Sequence, residues 1–457
     1  MNRNDEYKDL IEELSETPPA LEYTVARARA RVRKNRIVRR SFLVPVGSAA
    51  AFLICFTVLV NVSMPFAMAC ERIPILRELA VAVAFSPSLS TAVENEFVQL
   101  IGQEQRQNDI TMKVEYVIVD QKQLNVFFTL NSPVYPSMEV TPEIMGVDGT
   151  SFGGYSIVTW GIDDNDALRH ILVDFHEGDV PAELVLICKV SEKSSSGTSE
   201  APVQSDMFSP VEYSEPNYIA AFEFVLSFDP YFTHQSETIV LNQTFILDGQ
   251  RLTVTTVEIY PTHARLNLED HPSNTAWLKS LGFYFENEKG VRFETINNGI
   301  SATGSPDSPM MRSHRLESSF FADSKRLTLY ITDVVWLDID MERVRVDLEN
   351  VAADVLPQGV AFEHAARGAN SWELVFSGAE SRDNHMYQLF GWEYFDEDGN
   401  AYEYNSVSSG TIGSYVEREG VFFVQFALAG YTYDTVYLSP SFSRMTYLDQ
   451  PVAIGLK

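Results

Sequence analysis

Residues 33–56 read RKNRIVRRSFLVPVGSAAAFLICF, and no other stretch restricts the chain so tightly. From Ser41 to Cys70 there is no charged side chain, a run of thirty residues, where about twenty suffice to cross hydrocarbon as a helix. Backbone polar groups cannot be left bare in lipid, so a run like this is a helical span or part of a large core. The flanks favour the span. Arg33, Lys34, Arg36, Arg39 and Arg40 stand before it and Glu71 after it, the asymmetry that holds the cationic side in the cytoplasm. We expect a transmembrane helix over 41–64, densest from Phe42 to Val62, with those five cations setting its topology. Pro45 falls in the first turn, where a missing N–H costs little, and Pro65 marks the exit. A cleaved signal peptide is the competing reading, because Ala67-Met68-Ala69 precedes Cys70 like a small-residue cleavage site. A charged leader of forty residues is long for that purpose. Both readings place residues 71–457 outside the cytoplasm; the first makes the chain a single-pass protein of the cell membrane.

Charge sharpens this division. The whole chain carries a formal net charge of −29, yet residues 1–40 hold ten Lys/Arg against seven Asp/Glu. An acidic body repels phosphate backbones, which excludes nucleic acid as its partner and leaves membrane lipid as the partner of the basic–apolar junction. Within the tip, DEYKDLIEELSE (5–16) puts Tyr7, Leu10, Ile11 and Leu14 on one side of a short helix. A second helix after Pro19 aligns Leu21, Val25, Ala28 and Val32. Helices this short do not bury their own apolar faces. Either the tip is a solvated anchor, or Tyr7, Leu10, Ile11, Leu14, Leu21 and Val25 dock on a cytoplasmic partner.

Past the span, ERIPILRELAVAVAF and SLSTAVENEFVQL, broken by Pro74 and Pro87, read as a helical collar over 65–97. From about Ile110 the apolar period becomes two, with Gly, Asn and Asp turns, the pattern of strands. A shift of 109 residues lays GFYFENEKGVRFE (282–294) on GWEYFDEDGNAYE (391–403), pairing Phe285 with Tyr394, Gly290 with Gly399 and Phe293 with Tyr402. A shift of 142 aligns Ile110, Met112, Val117, Leu124 and Val126 with Leu252, Val254, Ile259, Leu266 and Leu268. Self-similarity at such spacings marks repeated units. Short alternating strands in units of this size predict immunoglobulin-like sandwiches at 98–230, 236–350 and 351–457. The first is enlarged by the polar stretch SEKSSSGTSEAPVQSD (191–206). The expected fold is mainly β: tandem sandwiches on one transmembrane helix, with a short helical N-terminus inside.

No reaction chemistry announces itself. The eight histidines are dispersed and form no HxH or HExxH pair. The carboxylate runs DDND (163–166) and DEDG (396–399) lack the full ligand spacing of a calcium loop and read as solvated turns. Cys55, Cys70 and Cys188 suggest neither a disulfide framework nor a zinc site. His263 reads as a turn residue, and Trp160, Trp277, Trp336, Trp372 and Trp392 as core residues. No catalytic residue, metal or cofactor is expected.

The exit NVSMPFA (61–67), IPILREL (73–79), TAVENEFVQ (91–99) and ITMKVEYVIVDQKQLNVFFTL (110–130) together resemble the bacterial family carrying domain of unknown function 4179. LNQTFILDGQRLTVTTVEIYPTHARLNL (241–268) is similar to the β-domain that often follows in such proteins. The resemblance covers about residues 5–270 and offers no catalytic residue to carry over. It implies a single-span protein of Gram-positive bacteria. Some members are described as anti-sigma factors or negative effectors of extracytoplasmic-function sigma factors, which implies a sigma factor as partner of the tip. The expectation is a non-enzymatic regulator whose sandwiches meet an extracellular ligand that the sequence does not name. The alternative is an envelope adhesion or structural protein that binds wall polymer or another protein.

Overall fold

Alternation of apolar and polar residues after Ile110 is realised as antiparallel strands, paired into sheets that bury their apolar faces against one another. The computed structural model describes residues 8, 11, 75–160, 167–193, 217–296, 301–305, 308–379, 388–404, 406–409 and 421–457. The expected span at 41–64 and the DDND run lie outside these residues. Among the described residues no helix is long and apolar enough to cross a membrane. The chain falls into two units, Met1–Arg77 and Glu78–Lys457.

The collar contains α1 (Ile75–Ala82) and α2 (Pro87–Glu94). Ser86 caps α2, its hydroxyl accepting from Leu89 N at 3.3 Å, and Pro87 takes the first turn, where its missing N–H is harmless. Leu79, Val83, Leu89, Ala92 and Val93 are buried.

Three two-layer units follow. In the first, β1 (Gln99–Gln107), β2 (Ile110–Val119), β3 (Gln123–Asn131), β6 (Arg169–Phe175) and β5 (Tyr155–Trp160) lie in that order. Its other sheet is β4 (Met138–Met145), β7 (Glu183–Glu192) and β8 (Tyr218–Ser227). Val117, Leu124 and Phe128 share one core with Leu186, Cys188 and Phe224. The second unit orders β14 (Ala302–Ser305), β15 (Ser308–Leu316), β11 (Ala264–Asp270), β10 (Gln250–Ile259) and β9 (Glu237–Leu247). It pairs them, through a core around Phe285 and Trp336, with β13 (Arg292–Glu294), β12 (Ala276–Asn287), β16 (Leu327–Asp338) and β26 (Arg444–Gly455). The third unit has β18 (Ala352–Ala353), β17 (Val344–Asp347), β25 (Thr435–Pro440), β21 (Phe390–Phe395) and β22 (Ala401–Glu403) in one sheet. Its second sheet is β19 (Ala361–Arg367), β20 (Ser371–Ala379), β24 (Val421–Ala429) and β23 (Ser406–Ser409), with Phe376, Tyr394 and Phe426 in the shared core.

The 109-residue repeat holds in register. Phe285 pairs with Phe293 and Tyr394 with Tyr402, while Gly290 and Gly399 both take positive φ in the turn, at 74° and 82°. The other repeat is corrected from 142 to 140. Val119 pairs with Leu124 as Ile259 pairs with Ala264, and both hairpins carry their register break at matching places, 114/116 and 254/256. An error of two preserves which face each residue takes, so the apolar match survived it.

The boundary at 350/351 also differs from the topology. β17, before that boundary, belongs to the third unit, while β26, far beyond it, pairs with β16 of the second. The third unit is an insertion into the second. Trp392 departs from the core reading as well: it is 73% exposed, whereas Trp336 and Trp372 are buried.

The first unit closes one seam without a ladder. Alternate residues of an edge strand point both backbone groups outward, and on β8 these meet side-chain amides of β1. Gln99, Gln103 and Gln105 donate Nε2–H to the carbonyls of Ser227, Val225 and Glu223 at 2.8, 2.9 and 2.6 Å. Gln107 Oε1 accepts from Ala221 N at 3.0 Å, and Asn108 Nδ2 donates to Ile219 O at 2.6 Å.

Candidate functional site

Hairpins β2–β3 and β10–β11 are equivalent, and their tips meet. Each closes with the same backbone bond, Asp120 N to Gln123 O at 2.9 Å and Tyr260 N to His263 O at 2.8 Å. Asp120 folds its own turn, Oδ1 accepting from the N–H groups of Lys122 and Gln123 at 2.9 and 2.8 Å. Its Oδ2 accepts from the opposing tip, Thr262 N at 3.0 Å and Thr262 Oγ1 at 2.5 Å. Thr262 Oγ1 also lies 3.2 Å from Gln123 Oε1 and 3.0 Å from His263 Nδ1. Asp120, Gln123, Thr262 and His263 are each at most 2% exposed.

The network continues through charge. Arg265 Nε donates to His263 Nε2 at 2.9 Å. A guanidinium only donates, so Nε2 accepts and neutral His263 carries its hydrogen on Nδ1. Arg265 Nη2 reaches Asp174 Oδ1 at 2.5 Å, and Arg315 holds Asp174 Oδ2 through Nε at 3.0 Å and Nη2 at 2.9 Å. Asp174 is fully buried, and Arg265 and Arg315 nearly so. His176 borders the cluster, its Nε2 2.6 Å from Ser156 Oγ.

Burial would raise the pKa of Asp174, but the two guanidinium charges outweigh it and hold the group below 3.8. Burial is likewise offset at Asp120, where His263, Thr262 and the Lys122 N–H keep it below the same value. Burial lowers His263 and His176, and draws Arg315 down to about 10. Asp120, Asp174 and Arg315 are therefore ionised and the imidazoles of His263 and His176 neutral near pH 7.

The collar is bonded to the same place. Glu317 sits at the start of α2, where free N–H groups favour an anion. It accepts from Ser88 N at 2.7 Å and from the Ser88 hydroxyl, which in turn accepts from Ser318 N at 2.6 Å. Ser318 donates its hydroxyl to Tyr260 O, at the tip just described. Phe97 follows α2 and packs at 4.9 Å from Phe232 and 5.9 Å from Phe321.

Of the residues named from sequence, Ile11 is helical and 52% exposed. Tyr7, Leu10, Leu14, Leu21, Val25, Arg33, Lys34, Arg36, Arg39 and Arg40 lie outside the described residues. His263 is a turn residue, as expected, but a fully buried one. In DEDG, Asp396 accepts from Asp398 N, Asn400 N, Asn400 Nδ2 and Tyr402 OH, so its oxygens close their own turn. Asp120, Gln123, Asp174, Thr262, Arg265 and Arg315 went unnoticed in sequence. The usable signal was a charged residue inside an apolar strand, as in RHILVDF and ARLNLED. Two open clefts also flank the second and third units. One, of about 730 Å³, is lined by Asp338, Asp340, Arg343 and Asp354; the other, of about 660 Å³, by Lys279, Glu342, Gln388 and Ser441.

Residues 38–132 match the family described as domain of unknown function (DUF4179), the one the motifs resemble, and residues 236–363 match the family of unknown function DUF5643. The crystal structure of a conserved domain protein from Bacillus anthracis is similar over 57% of this chain and 85% of its own, at 12% identity and a TM-score of 0.38. No curated protein matches.

Proposed function

We propose that the chain is a membrane-anchored, non-enzymatic regulator. Immunoglobulin-like sandwiches outside the cell bind a ligand, and the cytoplasmic tip sequesters an extracytoplasmic-function sigma factor. The observation that carries this reading is the clasp on Glu317. The second helix after the uncharged run, α2, is bonded to the second unit through Ser88, and Phe97 just beyond it packs against Phe232 and Phe321. A ligand that shifts these units against each other moves the segment leading back to the predicted span. The two clefts beside the third unit are the places where a ligand would enter. Sequestration rests on Tyr7, Leu10, Ile11, Leu14, Leu21 and Val25, with acidic neighbours steering a basic partner. Co-purification of the full-length chain with a panel of sigma factors tests this: capture is expected, and deletion of residues 2–25 should abolish it.

Adhesion is the second reading, favoured by one observation: Trp392 stands 73% exposed, a ring suited to stacking on wall saccharide. Absence of any captured sigma factor, with wall binding that survives deletion of 2–25, would decide for it.

A further inference from the structure

The junction holds a nucleophile, a proton carrier and a carbonyl group in one dry place. Thr262 Oγ1 is 2.5 Å from the Asp120 carboxylate and 3.2 Å from the Gln123 carboxamide oxygen. Three backbone N–H groups fix that carboxylate, two on Oδ1 and one on Oδ2, so it cannot turn away. Gln123 Nε2 is buried and has no hydrogen-bond partner. An orphaned buried donor is costly to keep, and here it is the atom that would depart in acyl transfer to the hydroxyl.

We propose that Thr262 and Gln123 join in an intramolecular ester that ties the first unit covalently to the second. Oγ1 attacks Gln123 Cδ, an Oγ1–Cδ bond forms, and the Cδ–Nε2 bond breaks. The hydroxyl proton passes to Asp120 Oδ2 and from there to the departing nitrogen, which leaves as ammonia. No oxidant, metal or further reactant is consumed. The terminal torsion of a glutamine is soft, so rotation of the carboxamide presents the face of Cδ to Oγ1 and swings Nε2 round toward the Asp120 carboxyl. His263 Nδ1–H, 3.0 Å from Oγ1, steadies the oxygen as its proton moves. Arg265 is a positioning residue, since its bond to Nε2 fixes that tautomer.

Two circumstances favour the step. Fixed proximity is worth effective concentrations on the order of 10⁵ M or more, and the reaction need occur only once per molecule. The same four residues exclude water, which keeps the carboxamide from hydrolysis and the ester, once made, from cleavage. Each hairpin tip supplies one reactant, so the bond forms only when the two units have docked. It thereby records correct assembly.

Intact mass of the full-length chain, purified in detergent and then denatured, tests the proposal. The expected mass is that of the sequence less one ammonia, with the peptides carrying Gln123 and Thr262 recovered as a single branched species. Hydroxylamine should part them and leave a hydroxamate on Gln123. Thr262→Val and Asp120→Asn chains should show the uncorrected mass. A Gln123→Leu chain serves if Thr262→Val does not fold. A wild-type chain at full sequence mass with separable peptides overturns the ester, and so does ammonia loss that maps to any other residue.

Discussion

Replacing Asp174 with Asn should loosen the charged cluster between the first and second units while leaving each core intact. Asp174 is the shared counter-ion of Arg265 and Arg315, and the substitution removes its charge without changing its size. It also sets an amide N–H against one of the guanidinium donors. Removing one partner of a buried pair costs about 3–5 kcal/mol, because the remaining charge stays desolvated. At 1.4 kcal/mol per decade, about 4 kcal/mol is roughly a thousandfold rise in the population of the opened junction. Hydrogen–deuterium exchange of the full-length chain reads this directly. Peptides spanning 169–175, 260–266 and 308–316 should exchange roughly a thousandfold faster at pH 7, with those of β20 and β24 unchanged. Combining Asp174→Leu with Arg265→Met and Arg315→Met should restore much of the protection, since an apolar triad needs no counter-ion. Less than a tenfold change in the single variant would mean that water already solvates the arginines, and the reasoning would fail. Acid should act in the same direction. Asp174 has a lowered pKa in the fold, so its contribution is complete above 3.8 and is lost as pH falls below that value.

Burial holds His170 neutral, with its pKa moved from 6.5 to about 3, so stability should fall as pH drops below 6.5, by about 2 kcal/mol near pH 5. His170→Gln should flatten that slope when urea midpoints at the two pH values are compared; an unchanged slope would assign the effect elsewhere. Gln103→Ala with Gln105→Ala should cost about 0.5–1.5 kcal/mol per lost bond and bare two carbonyls on the edge of β8. Light scattering should then show self-association, and a variant that stays monomeric would remove the sealing role from these amides. Deleting residues 444–457 should unfold the second unit, because Ile454 and Leu456 are buried in its core. Losses of about 2–5 kcal/mol are expected for each. Protection of β16 amides that survived the deletion would contradict the pairing of β16 with β26.

Local order was well marked in the sequence. Aromatics at alternate positions around Gly290 and Gly399 fixed two hairpins in the right register, because turn chemistry and face alternation act within a dozen residues. The 109-residue repeat did not reveal the insertion. A repeat match compares strands and is blind to which sheet a strand joins, so Arg444–Gly455 was counted with its sequence neighbours. Trp392 reads like any strand tryptophan. The register break between Phe390 and Tyr394, where it sits, is a backbone event with no residue signature. The junction was illegible for another reason. Asp120 and Thr262 look like ordinary turn residues, and Asp174 like a lapse in an apolar strand. Their meaning arises when two equivalent tips face each other across 142 positions of chain.

The return of the last strand to the second unit also decides where tension would travel. A pull between the collar and Lys457 runs from β16 into β26, whose final turn of bonding ties Leu327 N to Lys457 O at 3.0 Å and Leu456 N to Leu327 O at 2.8 Å. The inserted sheets, looped out between Val344 and Pro440, sit off that route like a pendant on a closed chain. Those sheets can stay folded while the stem beneath them is strained, because no strand of theirs lies between β16 and β26 in the sheet that would carry the load.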